Sequence, residues 1–568
     1  MDKLKLHTPD ITAENIAKLA ELFPNCVTES LSKDGTLKQS VDFDQLRQEL
    51  SNTVVEGPQE RYQLNWPGKR EALLTANAPI SKTLRPCREE SVDFDTTKNL
   101  YIEGDNLDAL KLLQETYLNK VKMIYIDPPY NTGNDFIYED DFKMESKSYL
   151  LKSDQLDEEG DRLVTNSESN GRFHSDWLTM MYSRLRLSRN LLADDGVIFI
   201  SIDENEVVNM KKICDEIFGE DNFIENFIWK KSYGGGPKER YAVTQHEYIL
   251  LYTKVISNLD NFSLRYDPAK ITRYYKHKDQ HHELRGPYRL KPLEATKSMD
   301  SRPNLVYGIP APDGHEIQPK RQWLWSKARV IKALENGELE FIGSGEKQTV
   351  NYKQYLKDEN GIERGEKPFS IIDGIYTQKG TDDIRKIFDD KVLIQFPKPV
   401  DLISKLVEIG CGNKRDSIVL DFFSGSATSA HAVMALNADD GGERRHIMVQ
   451  LPETCGAKSE AFKAGYATIA EIGRERIRRS GKKIKAENIN KPSVQSLDIG
   501  FRVFKIDSSN MKDIYYAPDE VSQDDLFSQA SNIREDRTPE DLLFQVLLDW
   551  GVDLALPISQ ETIAGKTV

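Results

Sequence analysis

The residues Asp127-Pro128-Pro129-Tyr130 combine an acid, two prolines and an aromatic ring in four consecutive positions. They follow Val121 to Ile126 (VKMIYI), an apolar run that reads as a buried strand. The prolines stiffen the turn and cannot donate backbone hydrogen bonds, while their carbonyls stay available to accept. The carboxylate accepts as well, and Tyr130 offers a flat face. Such a set suits a planar group that carries an NH2, for example the edge of a nucleobase. These four residues are the expected catalytic set.

A second motif, Asp421-Phe422-Phe423-Ser424-Gly425-Ser426-Ala427-Thr428-Ser429, follows the apolar residues Ile418 to Leu420 and leads into a helical pattern. A small-residue turn between strand and helix lets backbone approach a ligand closely. It has one glycine, not the three of a dinucleotide fingerprint, so a pyrophosphate cradle is not expected. Ser426, Thr428 and the helix N-terminus can meet a carboxylate, and Asp421 can meet an ammonium. Glu453, past the next strand pattern (HIMVQLPE), can take the two hydroxyls of a ribose. An amino acid joined to a nucleoside describes S-adenosylmethionine. Turns of this kind also serve purely as structural connections, so the turn alone leaves both readings open.

Alternating strands and helices must position these residues. Leu100–Glu103 reads as a strand, with Asp105 or Asn106 capping a helix from Leu107 to Tyr117. Ser175–Leu192 reads as a helix, Val197–Ile202 as a strand and Asp203–Phe218 as a helix. Order breaks after Trp229 at Gly234-Gly235-Gly236 and resumes near residue 390, with only isolated strands such as Tyr248–Tyr252 between. Then Pro399–Ile409 is helical, Ile418–Phe422 a strand, Ser426–Asn437 a helix and His446–Leu451 a strand. The pattern predicts an α/β fold: a doubly wound, parallel or mixed sheet with helices on both faces and an inserted domain. Asp105, Asp127 and Asp203 fall at carboxyl ends of strands, where ligands sit and where acidic helix caps are also common. Five segments are expected: a helical arm at 1–55, with Thr12 as N-cap of a helix running to about Leu50, a catalytic core part at 56–228, an insert at 229–390, a cofactor-binding core part at 391–495, and a C-terminal domain at 496–568. A basic helical run (RERIRRSGKKIK) lies at Arg474–Lys485, and the tail combines a strand (IGFRVFKI) with a helix at Pro539–Trp550.

The chain has 568 residues and a net charge of −15, which argues against indiscriminate nucleic-acid binding. From Trp229 to Val330, however, nineteen Lys/Arg stand against ten Asp/Glu, a local +9 that leaves −24 for the rest. Tyr233, Tyr241, Tyr266, Tyr274, Tyr275 and Tyr288 are interleaved with those cations, a composition that fits either a nucleic-acid face or a solvated surface. Cys26, Cys87, Cys214, Cys411 and Cys455 form neither a zinc pattern nor a disulfide framework. His277, His281 and His282 lack a second ligand cluster, so no metal is expected. No apolar run approaches the roughly 20 residues of a membrane span, and the N-terminal MDKLKLHTPD has no signal-peptide core. A soluble cytoplasmic protein is the expectation.

Together the two motifs resemble the amino-methyltransferases of DNA, and their order resembles the beta class of that group. YIEGDNLDALKLL, DPPYNTGNDFIYEDDF, SDWLTMMYSRLRLSRNLLADDGVIFISIDENE, QHEYILLYTK, FPKPVDLISKLVE and IGFRVFKID resemble the modification subunit of type III restriction–modification systems, over about residues 60 to 510. That resemblance implies methyl transfer from S-adenosylmethionine to adenine N6 in double-stranded DNA, with the base flipped from the helix. N6 would donate to the Asp127 carboxylate and the Pro128 carbonyl, and Tyr130 would stack on the base. Adenine is favoured because cytosine-N4 relatives usually carry Ser in place of Asp127. The implied cofactor set adds Asp105, Lys398 and Pro399 to Asp127, Asp421, Phe422, Ser424, Gly425, Ser426, Thr428 and Glu453. Asp105 can equally be only a helix cap, and Pro399 only a helix start. The insert would be the target-recognition domain. The implied partners are a second copy of the chain and a restriction (Res) helicase–nuclease subunit. Ala427 departs from the family's usual glycine, and the chain ends soon after LLDWGVDLALPI where the family often runs longer. Competing readings are a cytosine-N4 or RNA methyltransferase using the same pocket, and a non-catalytic DNA-specificity subunit.

Overall fold

The computed structural model describes residues 64–133, 173–234, 241–295, 302–361, 363–512 and 532–559, with short pieces at 11–22, 27–31, 37–41, 136–138, 163–165, 561–563 and 566–567 and the isolated residues 43 and 46. These form two compact units, Met1–Asn261 with Phe369–Val568, and Phe262–Pro368.

The larger unit is built on a ten-stranded sheet. In chain order its strands are β1 (Lys82–Pro86), β2 (Leu100–Glu103), β3 (Val121–Ile126), β4 (Leu192–Ile202), β5 (Phe223–Lys230), β6 (His246–Thr253), β7 (Ile371–Ile372), β8 (Ile418–Asp421), β9 (Arg445–Gln450) and β10 (Arg502–Ser508). They lie in the order β7-β5-β6-β4-β3-β8-β9-β2-β10-β1. From β4 to β10 every pairing is parallel, whereas β6 and β1 join that block antiparallel. Strands covered on both faces need no polar alternation. That is why β3 reads as an unbroken apolar run, with all its residues buried.

The helices of this unit are α1 (Lys69–Asn77), α2 (Asn106–Tyr117), α3 (Phe173–Leu191), α4 (Val207–Phe218), α5 (Thr377–Ile387), α6 (Val400–Cys411), α7 (Thr428–Asp440), α8 (Ile469–Glu487) and α9 (Pro539–Asp549). Leu110 of α2, Trp177 of α3, Ile213 of α4 and Phe544 of α9 share one apolar cluster with Leu100 and Ile102 of β2. Met434 of α7 and Ile477 of α8 share another with Tyr101 of the same strand. Successive side chains of a strand point to opposite faces, so the helices cover both sides of the sheet. This is the doubly wound α/β architecture expected, with antiparallel strands added at its edges.

Two segments differ from expectation. The N-terminal arm is not helical to residue 50: a helix spans Ile11–Leu22, and Val27–Leu31 pairs antiparallel with Leu37–Val41. Pro24 cannot extend a helix, Val27 and Thr28 are β-branched, and Asp34-Gly35 is a hairpin dipeptide. Those signals outweigh the leucine spacing, and residues 47–63 lie outside the described part. The 229–390 segment is likewise not one insert. β6 pairs with β4 through Tyr248↔Ile202 to Thr253↔Val197, and β7 pairs with β5. The separate unit is the shorter Phe262–Pro368. It holds an antiparallel sheet of Tyr288–Pro292, Thr349–Tyr355 and Leu339–Ile342 over a core that includes Leu293, Trp323, Val330 and Val350. Among the described residues no helix is long and apolar enough to cross a membrane.

Candidate active site

Parallel strands deliver their carboxyl ends to one edge of the sheet. β3 leads directly to Asp127, its neighbour β8 ends at Asp421, and β9, next again, leads to Glu453. β6 runs the opposite way, so its first residues, His246 and Glu247, arrive at that same edge. Residues more than a hundred positions apart thereby meet.

The two prolines divide their labour. The Pro129 carbonyl accepts the indole N–H of buried Trp177 at 2.8 Å, which fixes the turn to α3. Only the Pro128 carbonyl is left without a partner among the described residues. At Asp127 the Oδ1 atom accepts from the Tyr130 hydroxyl and from the Lys398 ammonium, both at 2.8 Å. Its Oδ2 has no partner among the described residues. Lys398 also donates to the Tyr130 hydroxyl at 2.8 Å and lies 3.3 Å from Glu247 Oε2. The other Glu247 oxygen accepts from Lys231 at 3.2 Å. Burial, followed by the charges of Asp127 and Glu247, holds the Tyr130 phenol protonated far above its ordinary range. Burial pulls Lys398 down, but Asp127 and Glu247 more than offset it and the net shift is upward. Burial pushes Glu247 up, and Lys398 and Lys231 more than offset it, leaving a net shift downward. The resemblance implied Lys398 as a cofactor-pocket residue; it lines the cavity shared by the two motifs, with its ammonium held against the Asp127 carboxylate.

The second motif is a tight turn. Gly425 and Ala427 both have left-handed backbone, at φ 49° and 58°. Ala427 carries its methyl into the apolar cluster under α7 and α8 and away from the cavity. Asp421 is 2 % exposed and does not reach the cavity. It closes its own turn, accepting from the Phe423 N–H at 3.1 Å and the Ser429 hydroxyl at 2.5 Å. Burial pushes its carboxyl up to about 7. The hydroxyl oxygens of Ser426 and Thr428 both accept from Arg476 of α8 at 2.7 Å and lie 3.5 Å from each other. Arg476 is fully buried, which pulls its guanidinium down to about 10. Gln450 ties the turn to the next strand: its Oε1 accepts the Gly425 N–H at 2.6 Å and its Nε2 donates to Glu453 at 3.2 Å.

One cavity of about 1290 Å³ spans both halves. It is lined by Asp127 to Tyr130, Lys398, Glu247, Phe423, Gly425, Ser426 and Glu453, with Ile469 and Ile472 as apolar wall. That volume exceeds the roughly 300–1,000 Å³ of a single small-molecule site, leaving room for two ligands. Its rim carries exposed Tyr233 and Phe396, and Tyr376 packs edge-on against Tyr233 at 5.8 Å. Phe396 stands 77 % exposed with φ 51°, a strained backbone for an aromatic residue. Six residues implied for the cofactor, Asp105, Pro399, Asp421, Phe422, Ser424 and Thr428, do not line the cavity. Asp105 caps α2 through the Leu107 N–H at 2.7 Å and faces buried Arg184 at 3.4 Å; Pro399 is the N-cap position of α6. Sequence reading missed Glu247, Lys231, Gln450 and Trp177, and took Arg476 only as part of a basic run. The faint available signal was an acid opening the apolar strand QHEYILLYT.

An acidic Pro-Pro-Tyr turn and a small-residue turn, on adjacent parallel strands and facing one cavity, define a DNA methyltransferase of the α/β class. A family model described as DNA methylase matches residues 121–476. The Mod subunit of the type III restriction–modification enzyme StyLTI from Salmonella typhimurium is 36% identical over 510 residues, 87% of this chain and 74% of that protein. The EcoP15I Mod subunit from Escherichia coli is 32% identical over 537 residues, 87% of this chain and 77% of that protein. The chain belongs to this family of type III modification subunits. Among solved structures, the cytosine-N4-specific PvuII DNA methyltransferase aligns over 70% of this chain and 94% of its own at 12% identity, with a TM-score of 0.31.

Proposed function

We propose that this protein transfers a methyl group from S-adenosylmethionine to the N6 amine of an adenine rotated out of duplex DNA. The carrying observation is the pair of open acceptors, Asp127 Oδ2 and the Pro128 carbonyl, beside the small-residue turn in a shared cavity. An exocyclic amine is a poor nucleophile because its lone pair is delocalised into the ring. Two acceptors that take its two N–H groups favour a pyramidal nitrogen with a localised lone pair. The contribution is positioning and preorganised charge, and no covalent enzyme intermediate is required.

The cofactor fits the residues present. A Cβ built on Gly425 would meet nothing within 4 Å, so the backbone there can be closely approached. On this reading the Ser426 hydroxyl would donate to the cofactor's carboxylate and Glu453 would take its ribose hydroxyls, while Phe423, Ile469 and Ile472 give apolar wall. When bound, S-adenosylmethionine supplies an electrophilic methyl on a sulfonium. The rim aromatics Tyr233, Tyr376 and Phe396 offer stacking faces for a displaced base, each worth about 1–3 kcal/mol.

The Phe262–Pro368 unit would read the target sequence: it holds twenty Lys/Arg against fifteen Asp/Glu in a chain of net −15. Several of its cations are already committed within the unit, Arg285 to Glu338 at 2.7 Å and Lys353 to Asp279 at 2.8 Å among them. The chain would act in the cytoplasm as a homodimer and serve a restriction subunit; the relatives' names, Mod subunits of restriction–modification enzymes, support the last of these. The test is incubation with S-adenosylmethionine and mixed duplex DNA, followed by mapping of modified bases. N6-methyladenine at one sequence supports the reading. N4-methylcytosine, methylated RNA or no product refutes it.

A further inference from the structure

Asp127, taken as the acceptor of the target amine, presents a charge problem, and the role assigned to Glu247 below rests on that acceptor reading. A buried ammonium, Lys398, sits 2.8 Å from the carboxylate that must face a nitrogen developing positive charge. A cation so close would cancel the acceptor's field if nothing drew it away. Glu247 supplies the second counter-charge, 3.3 Å from the same ammonium, and is itself only 8% exposed. It also shares the Tyr130 hydroxyl with Asp127, at 3.1 Å against 2.8 Å. The ring Asp127–Lys398–Glu247–Tyr130 therefore carries one net negative charge, with Lys231 outside it on the far oxygen of Glu247. The hydrogen bonds from Tyr130 and Lys398 both fall on Asp127 Oδ1, which turns the carboxylate one way.

We propose that Glu247 is a positioning residue for methyl transfer: by anchoring Lys398 and the Tyr130 hydroxyl, it holds Asp127 with Oδ2 presented to the target amine and its negative charge undiminished. Glu247 touches neither reacting atom in this scheme. It acts through Lys398, and the strand order brings it to the site because β6 runs against its neighbour β4.

Glu247→Gln keeps the shape and removes the charge. Steady-state kinetics on the full-length enzyme with S-adenosylmethionine and target duplex should show kcat lower by at least about tenfold, with both KM values within about twofold. Lys398→Met should fall at least as far. The double variant should be no slower than Lys398→Met alone, because a residue acting through another has no further effect once that partner is gone. The double variant leaves only the partly exposed Lys231 without its carboxylate and no unpaired buried Lys398, so it serves if Glu247→Gln does not fold. A Glu247→Gln kcat within twofold of wild type overturns the proposal, as does a double variant in which the two losses multiply. A rise in KM with kcat unchanged also overturns it. An inactive wild-type enzyme, or full activity in Asp127→Ala, overturns the acceptor reading itself and this inference with it.

Discussion

Replacing Asp421 by asparagine removes a carboxyl that burial has pushed up from 3.8 to about 7. A shift of about three units corresponds to roughly 4 kcal/mol held against the ionised form in the folded protein. The sign follows from proton uptake. Between about pH 4 and about pH 7 the folded protein holds a proton on Asp421 that the unfolded chain has lost, so stability falls as pH rises through that window. The contribution is fully present below about pH 4 and gone above about pH 7. Asparagine titrates nowhere in this range, and it still offers an oxygen to the Phe423 N–H or the Ser429 hydroxyl. On going from about pH 8 to about pH 5.5, wild type should therefore gain about 2 kcal/mol relative to Asp421→Asn. Urea unfolding at the two pH values, followed through Trp177 and Trp229 buried in the larger unit, measures this difference. A wild-type-to-variant gap that is the same at both pH values would refute the argument. The same residue tests the expectation that Asp421 holds the cofactor's ammonium. With both oxygens turned to its own turn, Asp421 should keep its proton equilibrium when S-adenosylmethionine binds. Calorimetry near pH 7 in buffers of different ionisation heat should find little proton release, and release approaching half a proton would restore the direct pairing.

Two further outcomes are expected at the site. Ala427→Gly relieves a left-handed alanine, worth about 1–2 kcal/mol, but loses a buried methyl worth about 0.8 kcal/mol and adds freedom to the unfolded chain. Stability should stay within about 1 kcal/mol of wild type and cofactor affinity should be unchanged; thermal melting and equilibrium binding check both. Tyr130→Phe removes the hydroxyl shared by Asp127 and Glu247 but keeps the ring. It should lower kcat by about tenfold while a 2-aminopurine target still brightens on binding, whereas Tyr130→Ala should lose that signal too.

What could be read from the sequence depends on the range of the interactions concerned. β2 and β3 were legible to the residue because fully covered strands write their burial into consecutive apolar positions. A cap at Asp105 or Asn106 was legible because a cap and its N–H lie two residues apart, and the structure puts it at Asp105. Glu247 was not, because its partners are set by the place of β6 in the sheet, and a strand's own periodicity does not name its neighbour. The same gap assigned Tyr248–Tyr252 to the insert. It also left unread that the Lys398 ammonium has two carboxylates, Asp127 and Glu247, within reach. A motif can state which groups must accept from an amine. It cannot state what balances their charge, since that comes from other strands. In this molecule the second carboxylate beside Lys398 comes from the start of an antiparallel strand, and if Asp127 accepts the target amine as proposed, its charge depends on that acid.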